Sequence, residues 1–255
     1  MKDEVTDLAK KMKSADDFIY HIYIHMNEVD QFVIFSGLTL QKFVSAVGPL
    51  QHLLLLKHDY EDASFNMHTQ FDFVTPYEIK QFVKKVSDSK KALCWVDFVD
   101  EKKLNQLTPT EQAELLYLSH KREPIRSPFS NKLQNRFVYF SSEIEKMTKI
   151  YFRHLNDSDI IMSNVFNSFI REKENAAGFW RRKSKPSIPS MTAELIKAYR
   201  SFAKDGALLS LFKSEKTKEY GVEIRNVSDY SFTDEIWDDL DKILKNNCDE
   251  IIHIS

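Results

Sequence analysis

Glycine is what this chain most lacks: there are five in 255 residues, Gly37, Gly48, Gly178, Gly206 and Gly221. They are scattered singly along the sequence. Phosphate-cradling loops, dinucleotide folds and strained serine elbows need closely spaced glycines. Only a residue without Cβ lets backbone amides crowd a ligand or holds a positive φ cheaply. The shortage therefore argues against those chemistries, and no nucleotide cofactor is expected.

Cysteine is equally scarce. Cys94 and Cys248 are the only two, and neither has a neighbour that would complete a zinc pair or a redox C-x-x-C. Cys94, between Leu93 and Trp95 on a strand-like stretch, reads as a small core residue rather than a nucleophile. Apolar runs such as Leu53 to Leu56 are far too short to span a bilayer, and Met1-Lys2-Asp3-Glu4 opens without the apolar core of a secretory signal. A cytoplasmic protein without membrane contact is the expectation. A net charge of −2 provides no global field toward nucleic acid or anionic lipid, so any such binding must be local.

What the chain does have is material for a core. It is 42% hydrophobic and 13% aromatic, enough to fold as a single compact α/β protein over residues 1–255. The helix starts are its clearest signals. Thr75-Pro76-Tyr77-Glu78 and Thr108-Pro109-Thr110-Glu111 each combine a threonine cap, a proline at the first helical position and a glutamate able to bond back. Ile79, Phe82, Val83 and Val86 follow the first, and Leu115, Leu116 and Leu118 the second, at helical spacing. Strand-like stretches occur at 71–74, 92–99 and 136–140, the last leading to a helix expected near Ser141 or Ser142. Helix starts near 75, 108 and 141 are evenly stepped, but their side chains do not match, which argues against a repeat.

Residues 39 to 56 read as one apolar helix interrupted at Gly48-Pro49. Around 18–24, capping chemistry favours a helix and the Ile/Tyr density favours a strand, and the residues leave both open. From 142 to 206 the pattern is helical and suggests a subdomain. In it, Ile161, Met162, Val165, Phe166, Phe169 and Ile170 share a face, a further helix runs from Thr192 to Gly206, and 175–190 forms a flexible connection. The end reads as a strand at 222–227, a helix from Thr233 and a strand at 250–254. The class that results is α+β (or α/β), with a mixed sheet of about five strands and capped helices.

Three clusters could carry chemistry. His52, His58 and Asp59, near the end of the apolar stretch, offer imidazole and carboxylate to a divalent metal that would acidify a water, although a solvated helix end explains them more simply. Asp72, Asp97, Asp100, Glu101 and Lys103 lie in or just beyond two strands. There Glu101-Lys102-Lys103 has the E-x-K spacing with which metal nucleases hold Mg²⁺ or Mn²⁺. Trp180, Arg181, Arg182, Lys183 and Lys185 combine cations with aromatic rings in a proline-flanked loop, which suits a single-stranded nucleic acid or an acidic partner.

The healthy fold signals, set beside missing glycine- and cysteine-dependent motifs, point first to a non-catalytic binding or regulatory protein. It would act through protein contacts or self-association and need no cofactor. The nuclease or phosphoesterase and the nucleic-acid binder are the alternatives.

Overall fold

The computed structural model describes residues 18–36, 38–57, 60–87, 91–121, 124–141, 147–177, 193–198, 203–204, 206–213, 220–227 and 248–254. The chain divides into two compact units, residues 27–161 and residues 1–26 with 162–255.

Among the described residues of the 27–161 unit, seven strands run β2 (Phe32–Ser36), β3 (His52–Lys57), β4 (Ser64–Asn66), β5 (Phe71–Val74), β6 (Leu93–Phe98), β7 (Phe137–Ser141) and β8 (Met147–Phe152). They lie side by side in the order β2-β8-β7-β6-β3-β5-β4, and every neighbouring pair is antiparallel. The α+β class holds, but the sheet is antiparallel where a mixed one was expected, and it has more strands than the expected five. Capped β-α spacing suggested parallel neighbours; instead the two strands that α2 joins, β5 and β6, run the same way with antiparallel β3 between them, while α3 joins the antiparallel neighbours β6 and β7.

Both faces of this sheet are covered. On one, Val33, Ile150, Tyr139, Trp95 and Leu55 stand in register across five strands. Helix α1 (Leu40–Val47) sets Phe43 over them, with ring centroids 6.0 Å from Trp95, 5.2 Å from Tyr139 and 5.8 Å from Phe137. Trp95 and Tyr139 are themselves stacked at 5.0 Å. Helix α2 (Ile79–Ser87) packs beside α1 and buries Ile79, Phe82, Val83 and Val86. On the other face Leu54, Phe73, Val96, Phe98, Val138, Phe140 and Tyr151 form one cluster. It is closed by Leu104 from a 3₁₀ helix (Glu101–Gln106) and by Leu115 and Leu118 from helix α3 (Pro109–Lys121).

This double cover explains the main correction to the sequence reading. Residues 39–56 are not one helix: α1 ends at Gly48, whose φ of 81° caps it, and the leucine run 53–56 is strand β3. A strand covered on both faces loses the polar-apolar alternation of period two, so its sequence resembles a buried helix. Gly48-Pro49 is the boundary between elements rather than an interruption within one. A second correction follows the strand at 136–140. No helix starts at Ser141, which is the last residue of β7, and the chain returns as β8. That also removes the third step of the apparent repeat.

Among the described residues of the unit 1–26 and 162–255 are four antiparallel strands, in the order β11-β10-β9-β1. They are β1 (Phe18–Asn27), β9 (Ala207–Lys213), β10 (Tyr220–Val227) and β11 (Cys248–Ile254). The β-branched and aromatic content of 18–24 therefore prevails over its capping signal, and the strands expected at 222–227 and 250–254 are present with slightly wider bounds. Helix α4 (Asn156–Ala177) begins in the 27–161 unit and continues into this one, which also holds α5 (Ala193–Ala198). Ile161, Met162, Val165 and Phe166 on α4 are buried, as their spacing requires. Because α4 runs to Ala177, the connection expected from 175 begins later; the rest of it, and the helix expected from Thr233, lie outside the described residues.

The Thr108 capping box forms in full and its helix starts at Pro109, whereas at Thr75 only the glutamate half forms: Glu78 N donates to the Thr75 carbonyl at 3.0 Å and α2 starts at Ile79 rather than at Pro76. Glu78 Oε2 accepts from the Thr75 backbone N–H at 3.0 Å and from its hydroxyl at 2.6 Å. Glu111 Oε2 accepts the same pair from Thr108 at 2.7 and 2.9 Å, while Thr108 Oγ1 accepts from Glu111 N at 3.3 Å. Lys132 Nζ adds a 2.7 Å ion pair to Glu111.

Turns show how so few glycines suffice. Gln31, Gln70 and Gln134 take φ of 57°, 58° and 53°. In two of the turns an Asn stands four positions before the Gln and a Phe directly after it: Asn27 to Phe32 and Asn66 to Phe71. Asn27 Oδ1 accepts from Asp30 N at 2.9 Å, and Asn66 Oδ1 accepts from Thr69 N at 2.8 Å. The short amide side chain holds the turn while the glutamine bears a left-handed backbone that costs an L-residue roughly 1–2 kcal/mol.

Replacing exposed Gln70 by glycine is therefore expected to raise unfolding stability by about 1 kcal/mol in urea denaturation, since relief of strain exceeds the added chain entropy. The Lys132 ion pair and the Thr108 donors hold the Glu111 carboxyl below the ordinary glutamate range. A depressed carboxyl stabilises above its unfolded value and loses that contribution as pH falls through its folded one. Glu111→Gln should accordingly cost about 0.5 kcal/mol at neutral pH, and the gap from the parent should close on acidification.

Candidate functional site

The polar groups singled out in the sequence gather, in part, where β6 ends and β3 begins. His52, the first residue of β3, pairs with Phe98, the last of β6, and their rings stack at 4.9 Å. His52 Nε2 lies 3.4 Å from Glu101 Oε1, while its Nδ1 is enclosed without a hydrogen-bond partner. Thus the structure joins one residue of the histidine cluster to one of the carboxylate cluster. His52 sits on a strand rather than at a helix end, as the reassignment of 52–57 requires. His58 and Asp59 lie outside the described residues.

Asp97 faces the opposite side of the sheet and is almost fully enclosed. Its Oδ1 accepts from the backbone N–H groups of Arg136 and Phe137, both at 2.8 Å, and its Oδ2 accepts from Arg136 Nε at 2.9 Å. Burial pushes this carboxyl above the ordinary aspartate value, although each of those donors pulls it back. All of its visible bonding serves the fold. Asp100 caps the 3₁₀ helix, accepting from Lys102 N at 3.0 Å.

Glu101 and Lys103 both lie within that 3₁₀ helix. The E-x-K spacing puts both groups on one side only in a strand, where alternate residues share a face; on a helical turn, residues two apart diverge. Asp72 stands on β5 opposite Leu55, and Asp97 stands on β6 opposite Leu53. Two strand spacings and two residue rises separate their backbones by roughly 12 Å, whereas metal ligands must all reach within about 2.0–2.6 Å of one ion. Among the described residues no three His, Cys, Asp or Glu side chains are grouped to hold a metal. Cys94 is buried in β6, as expected for a core residue. Trp180, Arg181, Arg182, Lys183 and Lys185 lie outside the described residues.

A different feature stands out at the opposite margin of the sheet, and sequence reading missed it. Among the described residues, strand β4 is the last in the order and pairs only with β5. On it Phe65 is 55% exposed, and in the following turn Met67 is 81% exposed. This turn is held firmly. Asn66 Oδ1 accepts from His68 N at 3.1 Å and from Thr69 N and Oγ1 at 2.8 and 3.0 Å. Asn66 Nδ2 donates to Asn105 Oδ1 at 3.1 Å, and His68 Nε2 lies 2.8 Å from the Leu107 carbonyl. Because a carbonyl can only accept, His68 carries its proton on Nε2. The only sequence signal here was the Asn66-to-Phe71 turn spacing; three residues are too few for periodicity.

Among the described residues no helix is long and apolar enough to cross a membrane. Removing the Asp97 carboxylate by Asp97→Ala strands two enclosed backbone N–H groups and is expected to cost about 3 kcal/mol in denaturant unfolding. Asp97→Asn keeps an acceptor without a charge to desolvate and should lose distinctly less. Compared with known protein families, curated proteins and solved structures, the chain matches none of them.

Proposed function

We propose that this chain is a non-catalytic binding or regulatory protein that engages a protein partner, or a second copy of itself, through the β4 edge. One observation carries the reading: two large apolar side chains, Phe65 and Met67, stand exposed on an outermost strand and its turn. An outermost strand offers unpaired backbone groups to an incoming strand, and exposed apolar side chains beside it supply the burial that makes such pairing favourable. The bonds from Asn66 and His68 to the 3₁₀ segment fix the turn beforehand. Little conformational entropy then remains to be lost on docking.

The nuclease reading lacks comparable support, since Asp97 and Asp100 are engaged by the fold and Asp72 stands apart from them.

The reading is tested with a photo-crosslinking residue at position 65 in the full chain, alongside sedimentation equilibrium of the purified protein. A discrete adduct or a dimer is expected at micromolar concentration, abolished by Met67→Lys and absent when the crosslinker is moved to position 113 on α3. If position 65 gives no adduct and the chain sediments as a monomer throughout, the reading fails.

A further inference from the structure

Helix α2 buries Ile79, Phe82, Val83 and Val86, and its outer side is occupied by lysine. Lys80, Lys84 and Lys85 are all exposed there, and exposed Lys91 follows the helix. Lys85 is engaged by Asp62, with Glu61 also close enough to act on it, and Glu78 at the helix start is occupied by Thr75. Lys80 and Lys84, one turn apart, remain as a pair about 6 Å apart along the helix axis. One turn ahead of Lys80 stands Tyr77, 95% exposed, in the turn that Glu78 closes on Thr75.

We infer that this face of α2 is a docking surface for a single-stranded polynucleotide. The lysines take successive phosphates and the Tyr77 ring takes a base. Charge complementarity selects a polyanion, because spaced ammonium groups are point charges that suit a repeating anion without demanding a fixed bidentate geometry. The flat ring next to them selects unpaired bases, since stacking needs a base outside a duplex. A bilayer is the poorer fit: every large apolar side chain of α2 is already buried in the protein, so none remains to enter the lipid. The two proposals rest on different side chains and can fail separately.

The test measures fluorescence anisotropy of a labelled oligothymidylate titrated with the full chain across a series of salt concentrations. Micromolar binding is expected at low salt. Lys80→Ala with Lys84→Ala should lower the slope of log affinity against log salt by about 1.4, at roughly 0.7 per phosphate contact on a single strand. Tyr77→Ala should weaken binding about tenfold, and Lys57→Ala, at the exit of β3, should leave it unchanged. All four side chains are exposed, so circular dichroism of the variants should match the parent. The proposal is overturned by absent binding, by binding indifferent to the α2 and Tyr77 variants, or by an equal loss in Lys57→Ala. Binding to phosphatidylserine vesicles that is stronger than to the oligonucleotide, and lost in the same variants, overturns it in favour of a membrane.

Discussion

One enclosed carboxylate holds the centre of the sheet together. The paired register of β6 and β7 ends at Val96 and Val138, and beyond that point Asp97 takes over, accepting from two successive backbone N–H groups of the opposite strand. A side chain thus does what a ladder carbonyl does elsewhere. Through Arg136 the same group reaches the Pro49 carbonyl behind α1, so that helix, β6 and β7 are tied at one end of the sheet. The cost of enclosing a charge is visible in the upward push on its carboxyl, and three donors offset it. The aromatic layer of Trp95, Tyr139, Phe137 and Phe43 depends on that register being held.

Parts of this architecture can be read from short segments, and those parts were legible. Both threonine-proline-glutamate signals declare themselves within four residues; Thr108 forms its full box, and at Thr75 the glutamate bonds back while the helix begins three residues past the proline. The β5, β6 and β7 stretches carry enough β-branched and aromatic residues to be recognised singly. What could not be read were features set by distant neighbours. Leu53 to Leu56 form a strand only because the 3₁₀ segment and α3 cover one face while α1 and α2 cover the other. The strands β2, β4 and β9 are too short or too uniform to show a period.

The glycine shortage constrains one backbone geometry and leaves another open. It argues against backbone that must pack closely on a ligand, but it does not rule out left-handed turns. Gln31, Gln70 and Gln134 adopt them at some cost, and asparagine side chains stabilise two of those turns locally. The candidate sites fared similarly. Sequence proximity grouped Asp97 with Asp100, Glu101 and Lys103, yet pleat and helical turn send those groups in different directions. The contact between His52 and Glu101 crosses from one strand to the segment following another, and no linear motif could reveal it.

Strand β3 has a further consequence, one that concerns the chain before it folds. Because both of its faces must be apolar, four consecutive leucines are present in every newly made molecule, without proline or charge among them. Segments of that kind are the adhesive ones in an unfolded polypeptide. Lys57, exposed directly after the run, places a charge where stacking between chains would otherwise continue, and so acts as a gatekeeper against aggregation.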